Sequence, residues 1–469
     1  MRFDITGGLE RHDAQDSGRD GLIARLFGLV RTVLTSEDDN AHAQRTAILA
    51  FVVRVASAFV LYAMQVVFAR LLGGFEYGIF VFVWACVLII GGISSAGFPL
   101  SVARFIPEYR QKNEFELLRG ILLASRFIPF MIATTSAVIS AAIITVFPEI
   151  ARSYYTIPLL LAFVCIPAYT LIDVQDGMGR AHNWILLALL PPYILRPFLL
   201  LVFMVGTVIA GFEATAVTAM YSAIASVWLT ALVQTLAINK RLRRTVDPGP
   251  RAHRTALWVK VSLPICLVDG FFLFMTNTDV LVLSYFRTPE ETGAYFAAVK
   301  TLAFVSFVSF AVAAAAAHKF SEYYASGDNE RLERFVRDSI VWTFWPSLAG
   351  TALIVAAGKP VLWLFGSDFV SAYPVMFIVG AGLMARAAVG PLERLLNVTG
   401  HEGTCARIYF YAFFANLILN IILVPSFGII GAGAATALAY VVESILLANF
   451  VHRRLGLRVM IWHKSPTAT

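Results

Sequence analysis

Charge is what this sequence has least of. Asp, Glu, Lys and Arg together supply only 14% of its 469 residues, whereas soluble domains carry roughly a quarter. A chain this long could not cover itself with so little charge and stay in water, so a soluble multidomain protein is excluded. Cysteine is also scarce. The four, Cys86, Cys165, Cys266 and Cys405, lie far apart in or beside apolar stretches, which gives neither a disulfide framework nor metal-ligand spacing. They read as small apolar packers. There is no GxxxxGK[ST] loop, so no nucleotide-driven pump is encoded. Long polar segments are missing too. The longest interior one, 318–338, reads as a charged amphipathic helix on the cytoplasmic face, too short for a catalytic domain. No enzyme activity, cofactor or metal is therefore expected. What is abundant is apolar: 58% of residues are hydrophobic, with 37 Phe, 16 Tyr and 8 Trp, and mean hydropathy is +0.74.

Twelve apolar runs reach the roughly 20 residues a bilayer crossing needs. They fall at 48–70, 79–103, 119–147, 155–173, 184–208, 211–237, 256–285, 292–316, 339–358, 370–390, 404–424 and 427–450. Continuous runs exclude a β-barrel, whose strands alternate over about ten residues. The fold class is all-α: a polytopic membrane protein of about 12 transmembrane helices. The first 45 residues are polar and open with no apolar leader. Within them, 21–34 carries Leu22, Ile23, Leu26, Phe27 and Val30 at helical spacing around Arg25 and Arg31, the pattern of a helix lying on a membrane face.

The net charge is +7. In a membrane protein this reflects basic loops held against anionic lipid, not a nucleic-acid partner. With the N-terminus inside, the cytoplasmic loops and both tails hold 26 Lys and Arg, against 4 (Arg70, Arg152, Arg287 and Lys359) on the other side. That asymmetry predicts a multi-pass protein of the cell membrane with both termini cytoplasmic.

The chain repeats itself. Glu76 and Gly78 match Glu291 and Gly293 at an offset of 215; Arg104 then falls on Lys319 and Arg119 on Arg334. Pro158 falls near Pro374, Gly179 on Gly400 and Gly211 on Gly431. Six crossings per repeat place both halves the same way up, predicting two parallel six-helix lobes around a central cavity. The expected organisation is a cytoplasmic tail at 1–45, lobes at 46–238 and 256–450, a basic linker at 239–255 and a cytoplasmic tail at 451–469.

Charges inside crossings are costly and usually face a cavity or a partner. Basic groups outnumber acids there. Arg54, Arg196 and Lys300 are the candidate ligands for an anion such as a pyrophosphate, with Arg126, Lys260, Arg386 and Arg407 nearer the ends, where they can snorkel. Asp269 is a deeper carboxylate, counted with the substrate-binding candidates, that could pair with a cation, bind Na⁺ or take a proton. Asn277 and Asp279 could hold a coupling ion or cap an irregular turn. Prolines 191, 192, 197, 264, 346 and 374 interrupt crossings and suit either bending or static packing.

These residues resemble a known family. The run from Ala69 through Arg70-Leu71-Leu72-Gly73-Gly74-Phe75-Glu76-Tyr77-Gly78 to Phe80 resembles the first-loop signature of polysaccharide biosynthesis flippases, within the multidrug, oligosaccharidyl-lipid and polysaccharide exporter superfamily. Gly97-Phe98-Pro99, Asn277-Thr278-Asp279, Leu364-Phe365-Gly366-Ser367-Asp368 and Leu396-Asn397-Val398-Thr399-Gly400 match later landmarks in order. The resemblance covers about 45–455. It implies a flippase that moves an isoprenoid diphosphate-linked oligosaccharide across the membrane through a cationic central cavity. Implied partners are that lipid-linked oligosaccharide, membrane lipids, and glycosyltransferases or a polymerase of the same pathway. Two other readings stay open: an ion-coupled exporter of drugs or small molecules on the same fold, and a non-transport scaffold of a glycan assembly complex.

Overall fold

The computed structural model describes residues 39–150 and 152–457, with side chains from 52 onward apart from 150. The segment 21–34, Arg458 and Lys464 lie outside the described residues. By its contacts the chain divides into Met1–Ala56 and Ser57–Thr469.

Every regular element among the described residues is a helix. α1 runs Asp39–Ser94, α2 Phe98–Gln111, α3 Phe115–Val146 and α4 Ser153–Ala181. α5 Ile185–Leu190 continues through a wide turn, Pro191–Leu195, into α6 Arg196–Ile209. α7 is Ala216–Thr245, α8 Thr255–Met275, α9 Thr278–Phe286 and α10 Pro289–Leu302. Then come α11 Ser306–Ala325, α12 Asn329–Ala356, α13 Gly358–Phe365, α14 Tyr373–Ala387, α15 Leu392–Val398 and α16 Glu402–Leu455. Ten stretches among the described residues are long and apolar enough to cross a membrane. The first and last each fold back on themselves, which gives twelve crossings.

Glycine makes those reversals possible. An unbroken 54-residue α16 would be about 80 Å long, far beyond a bilayer. It turns at Gly428, φ 57° and ψ −133°, and α1 turns at Gly73, φ 72° and ψ 173°. L-residues with a Cβ avoid this half of backbone space. Many hydroxyls within the crossings bond back one turn, as in Thr301 to the Ala297 carbonyl and Ser284 to that of Val280, each at 2.8 Å. With no water to compete, this is the cheapest partner available.

Several boundaries differ from those predicted. The second crossing ends at Ser94, where Ala96 and Gly97 turn left-handed before α2. The fourth extends to Ala181, bringing its polar end into the helix. The seventh breaks at Asn277. The segment 318–338 is not a separate surface helix: α11 carries on to Ala325 and α12 starts at Asn329, so only a turn at Gly327 intervenes. Its charges pair locally, as in Lys319 with Glu322 at 2.8 Å and Arg331 with Asp328 at 3.2 Å.

Packing falls into two sets. α4 is central to the first, against α2, α3 and α7; α16 is central to the second, against α8, α9, α14 and α15. α2 meets α8, where Ser262 donates to Ser101 at 2.7 Å and Trp258 to Tyr109 at 2.9 Å. The largest buried cluster joins residues of both repeats, from Phe68, Tyr77 and Phe80 to Leu283, Tyr295 and Phe369. The small residues of the last crossing admit close neighbours: Gly433 faces Val375, and Ala437 lies against Gly382 of α14.

Candidate functional site

The repeat motif builds one end of the bundle. A Cβ on Gly78 would lie 1.7 Å from the carbonyl oxygen of Pro289, and one on Gly293 would lie 3.3 Å from that of Gly74. Glu76 accepts a bond of 2.7 Å from the backbone N–H of Ala216, the first residue of α7. Glu291 bridges Arg287 at 3.0 Å and lies against Gly428, at the turn inside α16. Glu76 thus anchors the start of the last crossing of its repeat, and Glu291 lies beside the turn that opens the last crossing of the other. The equivalent turn positions are therefore Gly211, φ 91°, and Gly428, φ 57°. The predicted match of Gly211 to Gly431 is three residues out, because Gly431 lies inside the helix beyond the turn. Two arginines tie this end together. Arg70 donates from Nε to the Leu364 carbonyl at 2.7 Å. Arg152 donates to the carbonyls of Tyr285 and Arg287 at 3.1 and 3.3 Å. In both cases a cation meets the negative end of a helix.

Deeper in, the predicted residues separate into three groups. Arg196 comes directly after the wide turn at Pro191–Leu195, where its own N–H reaches back to Pro191. The two prolines lack N–H donors, so the helix widens by a residue and re-aims the side chains of α6. Arg196 is half-buried, its guanidinium 5.5 Å from the Trp84 ring and 5.2 Å from the Tyr169 ring. Among the described residues it forms no ion pair with a carboxylate. Lys300 lies 4.9 Å over the ring of Phe296 and within electrostatic reach of Asp279. Asp279 is buried, accepting from Tyr295 Oη at 2.5 Å and from the Val280 N–H at 3.0 Å, while Tyr295 also meets Thr436 at 3.3 Å. Asn277 does not join it. Its amide donates to the Leu273 carbonyl at 2.8 Å and to Thr276 at 3.1 Å, which makes it a local cap at the break between α8 and α9. Asp269 is half-buried on α8 and faces Asp173 electrostatically. Arg54 belongs to the first unit, half-buried on α1.

Asp173, Asp176 and Arg180 were not among the predicted residues. Arg180 donates from Nε to Asp176 at 2.9 Å, and Ser95 bonds Asp173. A signal existed: with Tyr169 they recur at spacings of four, three and four, one face of a helix. It is hidden if the fourth crossing is ended at 173. The fourth crossing thus adds buried carboxylates that the sequence reading, with its excess of buried cations, did not count. A second buried pair lies elsewhere: Arg386 bridges Glu443 at 3.3 Å and reaches Glu393 at 4.0 Å, beside a cavity of about 350 Å³. Of the two fates open to Arg386 from the sequence, snorkelling or facing the interior, the structure shows an internal pair. Among the described residues no cluster of three His, Cys, Asp or Glu side chains could hold a metal ion.

A bundle of twelve apolar crossings, with a sequence repeat whose halves meet at one end and with charged groups between them, defines a membrane transporter. The profile described as "Polysaccharide biosynthesis protein" matches residues 44–321, more than half of the chain, and this protein belongs to that family. The MatE profile matches residues 264–423, which agrees with the wider exporter superfamily. Among curated proteins the chain is 26% identical over 419 residues to the "Probable low-salt glycan biosynthesis flippase Agl15" of Haloferax volcanii, covering 87% of this chain and 83% of that one. It is 27% identical over 186 residues to an uncharacterized membrane protein of Methanocaldococcus jannaschii, covering 39% and 36%. Among solved structures it resembles an inward-facing multidrug resistance MATE family transporter, with a TM-score of 0.71, 15% identity and coverage of 87% and 98%. It also resembles the lipid II flippase MurJ in an inward closed conformation, with a TM-score of 0.68, 16% identity and coverage of 86% and 87%. At such identities these structures share the fold.

Proposed function

We propose that this transporter flips an isoprenoid diphosphate-linked oligosaccharide across the cell membrane for surface-glycan synthesis. The observation that carries the reading is Arg196. It is aimed by a widened helical turn and held by ring faces rather than by a carboxylate, so its charge stays available to an anion. Lys300, over Phe296, is the second cation proposed to meet the diphosphate. Family membership and the similarity to the Haloferax flippase over most of both chains support the same cargo. Arg54 is kept as a separate candidate. Asp269 and Asp279 are the proposed coupling carboxylates, while Asn277 caps the break between α8 and α9. The charge asymmetry of the loops supports cytoplasmic termini, and the repeat supports lobes at 46–238 and 256–450 that rock about the 239–255 linker. Lipid-linked sugar would enter from the cytoplasm, with its carrier chain left in the bilayer.

The test is a lipid analysis by sidedness. Cells lacking the protein should accumulate lipid-linked oligosaccharide on the cytoplasmic face. The intact gene should relieve this, while Arg196→Ala and Lys300→Ala, at normal protein levels, should not. Arg54→Ala is scored by itself. If cytoplasmic intermediate does not build up in cells without a redundant flippase, the flippase reading is lost.

One observation favours a second reading. Asp173 and Asp269, beside Trp84 and Tyr169, form an acidic and aromatic face of the kind that takes organic cations. Under that reading, proteoliposomes would move a lipophilic cation and Asp173→Asn would abolish it, with lipid-linked sugar unaffected.

A further inference from the structure

A second concentration of positive charge lies away from the residues described so far. A cleft of about 650 Å³ opens between α3, the end of α7 and the linker beyond it, with Arg119, Arg126, Arg243 and Arg251 on its lining. One acid, Asp247, shares that lining. What it gives is its backbone: Arg119 donates to the carbonyls of Asp247 at 3.0 Å and Pro250 at 2.8 Å. The Arg119 guanidinium lies so close over Gly249 that a Cβ there would come within 2.8 Å of it. Among the described residues neither Asp247 nor any other carboxylate forms an ion pair with these four arginines.

Arg126 carries the argument furthest. Its Nη1 donates to Asn239 Oδ1 at 2.6 Å, but its Nε and Nη2 are buried with no partner. A desolvated cation with two unmet donors and no counter-charge is unstable by itself. Arg119 is half-buried, while Arg243 and Arg251 are exposed at the mouth. The remaining wall is apolar. Leu122 and Leu123 of α3 border the cleft, and Leu123 and the neighbouring Phe127 are 43% and 60% exposed. Four cations at the edge of an apolar helical face are matched by a ligand that is anionic at one end and hydrocarbon at the other.

We propose that this cleft binds the phosphate headgroup of an anionic membrane lipid, its chains lying along Leu123 and Phe127. The site does not depend on the cargo of the transporter. Because Arg119 holds the carbonyls of Asp247 and Pro250, a lipid seated here braces the 239–255 linker against α3.

The test is native mass spectrometry and thermal unfolding of the full chain in detergent after delipidation. Phosphatidylglycerol, phosphatidylcholine and inorganic phosphate are added back separately. Phosphatidylglycerol should stay bound and raise the midpoint, and phosphatidylcholine should do neither. Arg126→Gln should weaken phosphatidylglycerol binding about fivefold, the loss expected for one arginine at a lipid surface. Arg243→Gln with Arg251→Gln, at exposed positions that leave the fold alone, should weaken it further and decides the matter if Arg126→Gln does not fold. Equal retention of the two lipids, or unchanged binding in the exposed double variant, overturns the proposal. Stabilisation by inorganic phosphate equal to that by the lipid would show a free-phosphate site and also overturn it.

Discussion

Gly78 and Gly293 touch across the contact between α1 and α10: a Cβ on Gly293 would lie 3.3 Å from the Cα of Gly78. The two are related by the 215-residue offset of the repeat, and so are the carbonyls they face, those of Gly74 and Pro289. Equivalent residues exchanging equivalent contacts means that the pseudo-two-fold relation of the repeats passes through this point. A side chain on either glycine would hold the halves apart just where they close.

Gly78→Val is therefore expected to keep this end open. The obstacle is backbone carbonyl, which cannot swing aside, and overpacking of this kind costs about 1–3 kcal/mol. Spin labels at Phe75 of α1 and Tyr285 of α9 should move apart relative to the parent, and transport should stop. An unchanged distance distribution would remove the glycine contact as the closing element.

Arg70 and Arg152 cap helix ends contributed by the second repeat. A cation at a helix C-terminus stabilises by about 0.3–1 kcal/mol, so the double alanine variant should shift the equilibrium toward opening about three- to thirtyfold. Single-molecule distances across the same end would read this. Each single variant should give part of the shift.

Glu443 is buried, with one carboxylate oxygen on Arg386 and the other without a partner. Arg386→Gln leaves that charge stranded and should cost about 3–5 kcal/mol, seen as a lower denaturation midpoint in detergent. Adding Glu443→Gln should recover most of the loss. A double variant no better than the single would mean that the arginine acts through packing on Tyr440 instead.

His182 sits in the turn between α4 and α5, stacked 4.4 Å from Trp184 and bonded from Nδ1 to the Met178 carbonyl at 3.0 Å. Burial, with Arg110 and Arg126 nearby, pushes its imidazole down to about 4. The folded chain keeps it neutral while the unfolded chain protonates it near pH 6.5. Its contribution is thus complete above pH 6.5 and is lost as pH falls toward 4, by up to about 3 kcal/mol. Unfolding of the parent should steepen over that window, and His182→Gln should flatten the slope.

The apolar runs, the repeat and the scarcity of charge were enough to read twelve crossings, because lipid leaves a backbone few alternatives to helix. Gly78, Gly293, Glu76 and Glu291 were legible for a related reason: a position that must approach backbone, or anchor a helix start, tolerates few side chains, so it shows in both halves. Which charges meet was not legible. Arg196 lies more than two dozen residues beyond Tyr169 and more than a hundred beyond Trp84, and only tertiary packing brings its guanidinium onto those rings. Asn277 and Asp279 stand two residues apart, yet one caps a helix break and the other bonds Tyr295. Arg126 and Arg386 look alike in sequence, as basic residues near the end of a crossing. One is left with two unmet donors in a basic cleft, and the other is paired with a buried glutamate. Local sequence determined where the chain is helical and where it turns, because those depend on hydrophobicity and backbone freedom within a few residues. The partners of each buried charge were decided only by the tertiary structure, because Coulomb energy depends on distances that folding sets between residues far apart in the chain.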